Sequence, residues 1–419
     1  MIPYKDIHSF FQPQPNRMLK SWVKKFTGLN DPVYLLCMLY VVSLPFLKIL
    51  PVAWISLLGI IAILGYKWKK AIQIWLNNYT SLFLLGLYLL YLIDIFFSGN
   101  TDETIVKLSV KFSYIMLPLF LIPTAYFTKQ QIYNLLKVFI SGTSISLFVN
   151  FFISTFHYLQ SGSIASFYYD EISNFHHTSY YAFYIGFAAM AILYLMRKQQ
   201  IKKILPAIIM FLLHAGMIFM LSSKAGILAF IFALAGESLI RLLKRKNIIN
   251  IALFTGSIVI AFLIVSYNVR MNNTINNLLE KDKNIERRDT RLQVWKTCTL
   301  MISDYFWTGI GAGETTDKLT EQYRKHNFNV PAQKHLNCHN QFFQTQLSTG
   351  IFASIFLIFS FIFIIVNHGT KCEGIIWIFL LMVFIHFLFE AMLETQSGVQ
   401  FIAFFLVLFS YQQQKFAAL

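Results

Sequence analysis

Long apolar runs, separated by short polar or basic stretches, recur along almost the whole chain. Most approach the roughly 20 residues a helix needs to cross a hydrocarbon core about 30 Å thick. The pattern predicts about twelve transmembrane helices, over 33–49, 51–66, 80–97, 112–127, 132–156, 179–196, 204–221, 225–241, 248–268, 341–366, 374–392 and 398–413. The runs are continuous rather than alternating, which favours helices over a barrel, because each backbone amide in lipid must find its partner inside the protein. The expected fold is an all-α polytopic bundle. A polar stretch, 269–340, divides it into residues 1–268, with nine helices behind a basic N-terminal arm, a large loop containing helices, and residues 341–419 with three more helices.

Composition narrows the class. With 56% hydrophobic, 17% aromatic and only 13% charged residues, the chain lies far from soluble globular proteins. Its net charge of +16 is mostly topological and does not argue for nucleic acid, since the basic residues form no dense face. Lys67, Lys69 and Lys70, then Arg197, Lys198, Lys202 and Lys203, then Arg241, Lys244, Arg245 and Lys246 occupy short loops that fall on one side. The alternate loop, "HYLQSGSIASFYYDEISNFHHT" at 157–178, has no Lys or Arg. By the positive-inside rule both termini are expected in the cytoplasm and 269–340 outside. The N-terminal arm is basic and aromatic and lacks the form of a signal peptide, so it is expected near anionic headgroups or simply solvated.

Four cysteines add little. Cys37 and Cys372 belong to the membrane or cytoplasm; Cys298 and Cys338 share the external loop, where an oxidising compartment would permit a disulfide. Without a dense framework, free thiols are the favoured expectation. No metal-ligand spacing occurs, and neither metal nor cofactor is expected.

Chemistry concentrates at the external end. "HLNCHNQFFQTQLSTG", 335–350, puts His335, His339, Asn337 and Asn340 at the mouth of an apolar segment. Upstream, 289–306 predicts an amphipathic helix with Leu292, Trp295, Leu300 and Phe306 as apolar markers. Arg291 recurs with Val294, Trp295 and Cys298 at three- and four-residue steps, so its cation shares the apolar face. The helix ends in "GIGAG", 309–313, read as a mobile turn able to approach a ligand, not a dinucleotide fingerprint, since no strand precedes it. Lys224, in "SSKAG", sits where a lysine must snorkel or face a polar cavity. His176 and His177 open another helix at the same end, Glu390 and Glu394 close a third, and His386 reads as a core residue. For Glu390 and Glu394, structural hydrogen bonding is preferred over a role orienting a base or cation. A histidine at such an interface is otherwise a polar anchor.

The order of an "SSKAG" helix mouth, a large external loop with "RLQVWKTCTLMISDYFWTGIGAG", and "HN" opening the next helix resembles the O-antigen ligase and polymerase superfamily of bacterial membrane glycosyltransferases. The ending "FEAMLETQSGVQFIAFF", 389–405, is also similar. The resemblance, closest to the ligases, implies a GT-C-like architecture in the bacterial inner membrane. It implies a glycan donor linked to undecaprenyl pyrophosphate, and lipid A–core oligosaccharide as acceptor at the periplasmic face. The implied chemistry, a step of lipopolysaccharide biosynthesis, is metal-independent inverting displacement. By the same resemblance His339 is the base or acceptor-positioning group and Arg291 holds the pyrophosphate. Lys224 stands where ligases commonly have a second arginine. Lysine lacks the bidentate fork, so Arg287 or Arg288 is expected to supply it. Asn340 and His177 complete the expected binding set. A polymerase, with a second lipid-linked glycan as acceptor, is the alternative. A lipid-linked glycan transporter is the third reading, against which no internal repeat is evident.

Overall fold

A computed structural model describes residues 31–65, 68–121, 127–244, 246–268, 270, 272, 290–369 and 374–414. The N-terminal arm, Arg287, Arg288 and Cys372 lie outside the described residues. Among the described residues every regular element is helical. In chain order these are α1 (Pro32–Ser43), α2 (Ile49–Gly65), α3 (Trp68–Leu76), α4 (Tyr79–Ile93), α5 (Thr101–Lys111), α6 (Ser113–Leu121), α7 (Lys129–Ser161), α8 (Thr178–Arg197) and α9 (Ile204–Leu221). There follow α10 (Lys224–Lys244), α11 (Ile248–Tyr267), α12 (Thr290–Asp304), α13 (Thr315–Lys325), α14 (Asn329–Gln333), α15 (Gln341–Gly369), α16 (Ile375–Phe389) and α17 (Gln396–Gln414).

Among the described residues eight helical stretches are long and apolar enough to cross a membrane, and α1, α2, α16 and α17 are shorter apolar helices. The chain is therefore a multi-pass membrane protein. The fourth expected segment begins earlier than 112: a continuous stretch runs Thr101–Leu121, opened by Asn100, whose side chain accepts from Glu103 N. Lys107 and Lys111 disguised its first half as polar. Lys111 is instead only 1% exposed, 3.1 Å from Glu394.

Helix α8 is the hub. Of its most apolar window 89% is buried, against 12–50% for the other spans, and it packs on α7, α9, α10 and α16. Aromatic rings fill the centre: Phe187 lies 5.0 Å from Phe379 and 4.9 Å from Phe405, and Phe183 lies 4.8 Å from Phe401. Such offset and edge-to-face pairs fix how neighbouring helices seat beyond simple area burial. His386 joins this core, fully buried, stacked 4.4 Å from Phe183 and bonded through Nδ1 to Met382 O. At the far end of the hub, Arg197 and Arg241 share the carboxylate of Glu237. Two loops expected on one side thus come together, opposite the N-terminus of α8.

The loop helices form a second, smaller core of Val294, Cys298, Met301, Leu319, Tyr323, Cys338 and Leu347. The buried face of α12 differs from the expected markers. Leu300 is 48% exposed and Phe306 40%, whereas Val294 and Cys298 are fully buried. The three-and-four spacing from Arg291 locates this face; counting large apolar residues does not. Cys37, Cys298 and Cys338 are free and buried.

This smaller core is joined to α15 at a break. Gly350 has φ +78 and ψ −172 inside Gln341–Gly369, which takes the carbonyls of Leu347 and Ser348 out of the helix ladder. They accept instead from Ile310 N at 2.7 Å and Gly311 N at 3.0 Å, while Ile351 N donates to Phe306 O at 3.2 Å. "GIGAG" is therefore a packed joint rather than a mobile turn. Gly309 (φ +73) and Gly311 (φ +100) supply the left-handed backbone it needs, and a side chain on Gly309 would meet Gly350 N and Ser348 O at 2.7 Å.

Candidate functional site

The polar residues at the N-terminal end of α8 meet around one carboxylate. Glu390 ends α16 in an extended conformation, which swings its side chain out of the helical path. Arg291 Nη2 donates to Glu390 Oε1 at 2.8 Å, and Ser179 Oγ donates to the same oxygen at 2.9 Å. His339 Nδ1 lies 3.0 Å from Glu390 Oε2. Arg291 and His339 are each 21% exposed and Glu390 only 6%, so the carboxylate lies beneath two groups that still reach the surface.

Burial would raise the Glu390 carboxyl. The hydrogen bond and charge of His339, then the charges of Arg291 and His177, outweigh that and hold it down at about 2. Glu390 is thus ionised at neutral pH and only accepts hydrogen bonds. The facing His339 Nδ1 must carry a proton to make this bond, so that whenever the ring gives up its other proton Nε2 is the accepting nitrogen.

His339 is held in place by its own turn. Its φ is +43, a left-handed conformation costing a non-glycine residue about 1–2 kcal/mol. Asn337 Oδ1 accepts from His339 N at 3.0 Å, and Gln344 Oε1 accepts from Cys338 N at 3.1 Å. Asn340 caps α15 by accepting from Phe343 N at 3.1 Å, and its amide nitrogen donates to Leu388 O at 3.1 Å. Both ends of the Asn340 amide therefore tie the histidine turn to the end of α16 beside Glu390. His335 shares the left-handed conformation, at φ +47, so it is the bonds around His339, not its backbone alone, that aim its ring at Glu390.

Lys224 is placed by a second relay. Ser223 Oγ donates to Ser179 Oγ at 3.3 Å and accepts from Gly226 N at 3.3 Å. The start of α10, with half-buried Lys224 as its first residue, therefore adjoins the Glu390 group. Exposed His177 caps α8, accepting from Ser179 N at 3.4 Å. His176 instead turns inward, buried and bonded through Nδ1 to Ser397 Oγ at 3.0 Å. His335 meets Thr320 Oγ1 at 3.3 Å, away from Glu390.

One cation here was not singled out from the sequence. Arg270 lies 3.7 Å above the Tyr169 ring, and its Nη1 donates to Ser222 O at 3.5 Å, so it covers the "SSKAG" turn. Position alone, just past a helix within a long polar stretch, carried no signal of that contact. Glu390 had a signal, a carboxylate at the same end as Arg291 and His339, but its partners stand 99 and 51 residues away in sequence.

The arrangement offers cations for an anionic group, an imidazole oriented by a buried carboxylate, and an apolar bundle beneath. Residues 208–358 match the O-antigen ligase family, a stretch holding Ser223, Lys224, Arg291 and His339 but neither Ser179 nor Glu390. No curated protein matches the sequence. The match covers about a third of the chain, across the helix mouth, the external loop and the histidine turn, and over that stretch the chain is similar to the O-antigen ligase family.

Proposed function

We propose that the protein is an O-antigen ligase, transferring a glycan from undecaprenyl pyrophosphate to lipid A–core oligosaccharide by inverting displacement without a metal. The observation that carries the reading is the Glu390 carboxylate engaged at once by Arg291 and His339. A hydroxyl attacking an anomeric carbon loses its proton, and an imidazole whose Nδ1–H is fixed on a carboxylate presents Nε2 to take it. The departing pyrophosphate accumulates negative charge, which nearby fixed cations stabilise. Arg291 and Lys224 fill that role, with Arg270 at the margin.

The site faces the periplasm of the bacterial inner membrane, and both chain ends face the cytoplasm. The basic short loops support this, since Arg197 and Arg241 meet at the opposite end from His339. In this reading the twelve apolar helices all span, and the donor's prenyl chain lies between them.

The test is transfer by purified protein in EDTA, with a native undecaprenyl-pyrophosphate glycan and lipid A–core, comparing wild type with His339→Ala. Glycan on lipid A–core, lost in the variant while the protein remains folded, is the expected result. Lengthening of the donor glycan would make the protein a polymerase; absence of either product with matched substrates would favour a transporter.

A further inference from the structure

The mechanism above uses Glu390 but not the second carboxylate four residues on. Glu394 pairs at 3.1 Å with Lys111, at 9% and 1% exposure. A lysine in an apolar helix is costly unless it meets an opposite charge, and a buried pair often adds little stability over apolar residues of the same size. Stability alone therefore does not account for the pair, and the surrounding contacts supply a further reason.

Lys111 Nζ also lies 4.4 Å above the Tyr91 ring. Tyr91 OH is 3.4 Å from Thr345 Oγ1, which accepts from Gln341 Nε2 at 3.1 Å. Gln341 Oε1 in turn accepts from Leu393 N at 2.7 Å, beside Glu394. These contacts close a circuit through α5, α4, the first turn of α15 and the 390–395 segment. Between α16 and α17 that segment has only one short 3₁₀ turn, Met392–Glu394. Gln341 follows Asn340 directly, so the circuit grips the histidine turn as well as the Glu390 segment.

We propose that Lys111, through Glu394, is a positioning residue that fixes the 390–395 segment so that Glu390 meets His339 and Arg291 together. The inference rests on the transferase reading for its kinetic consequence, but not for its geometric one. Without the ion pair, the segment keeps its backbone bonds to Gln341 and Tyr180 but loses the Lys111 anchor on α5, and Glu390 drifts from its partners. A displacement of about 1 Å at such a group costs up to about 100-fold in rate.

The test is the double variant Lys111→Met/Glu394→Gln, which leaves no lone buried charge. It is expected to melt as wild type does, with turnover reduced about 10- to 100-fold and donor KM within about twofold. Wild-type turnover in the folded double variant would overturn the proposal and leave the pair a packing feature. If this variant does not fold, Lys111→Arg/Glu394→Asp keeps both charges but alters their reach. Reduced turnover then supports the proposal, and unchanged turnover overturns it. Cryo-EM of whichever variant folds gives an arm independent of activity: Glu390 withdrawn from His339 or Arg291 is expected, and an unmoved Glu390 sinks the idea. Should wild type itself transfer no glycan, the transferase reading fails alone and this arm still decides Lys111.

Discussion

Replacing Glu390 by Gln tests how the carboxylate works. The side chain keeps its size and hydrogen-bonding capacity but loses its charge. Wild-type Glu390 accepts from Arg291 at 2.8 Å, Ser179 at 2.9 Å and pairs with His339 at 3.0 Å. A hydrogen bond to an ionised group contributes about 1.5–3 kcal/mol and a neutral one about 1 kcal/mol. Converting these contacts to neutral ones, with Arg291 left partly buried and lacking its counter-charge, costs about 2–4 kcal/mol of stability. The rate falls for a separate reason. An amide can present its NH₂ to His339 Nδ1, which then becomes the acceptor and puts the proton on Nε2, where a base must have none. Loss of general-base assistance costs about 10²–10⁴-fold. The assay is single-turnover glycan transfer in nanodiscs, with a thermal melt alongside. Turnover within about threefold of wild type in folded Glu390→Gln, a small fraction of that expected loss, would refute the carboxylate–histidine argument.

Three further outcomes follow from the same geometry. Because the folded Glu390 carboxyl sits at about 2, below its ordinary 4.5, its contribution to stability is full above the ordinary value and is lost as pH falls from there toward 2. Melts of wild type and Glu390→Gln should differ at neutral pH and draw together as pH falls from the ordinary carboxyl range toward about 2; a difference that persists undiminished down to about pH 2 contradicts this. Gly350→Ala places a methyl against the Trp307 carbonyl at φ +78, and should destabilise the protein by about 2 kcal/mol or more, seen as a lower melting temperature. Lys224→Ala should raise donor KM about tenfold while Lys224→Arg holds it near wild type, since either cation serves a phosphate; equal effects of both substitutions would remove Lys224 from donor binding.

Much of this architecture was legible because lipid imposes continuous apolar runs. The placing of Arg291 on the buried face of α12 followed from helical spacing alone. What escaped was long-range or locally ambiguous. Glu390 could be recognised as polar at the right end, but whether it made ordinary structural bonds or oriented His339 depends on how α12, α15 and α16 pack. Lys111 read as a loop residue because its partner, Glu394, is far away in sequence. The glycine turn read as mobile because the carbonyls it caps become available only through the break at Gly350. In each case the missing information was a tertiary partner, which periodicity does not encode.

The most direct measurement is a cryo-EM structure of the protein with undecaprenyl pyrophosphate bound. The account predicts pyrophosphate density within about 4 Å of the Arg291 guanidinium, on the side toward Lys224, with His339 Nε2 facing the carbon-bearing end and Nδ1 still on Glu390. Pyrophosphate bound elsewhere, with Arg291 and His339 unengaged, would contradict it.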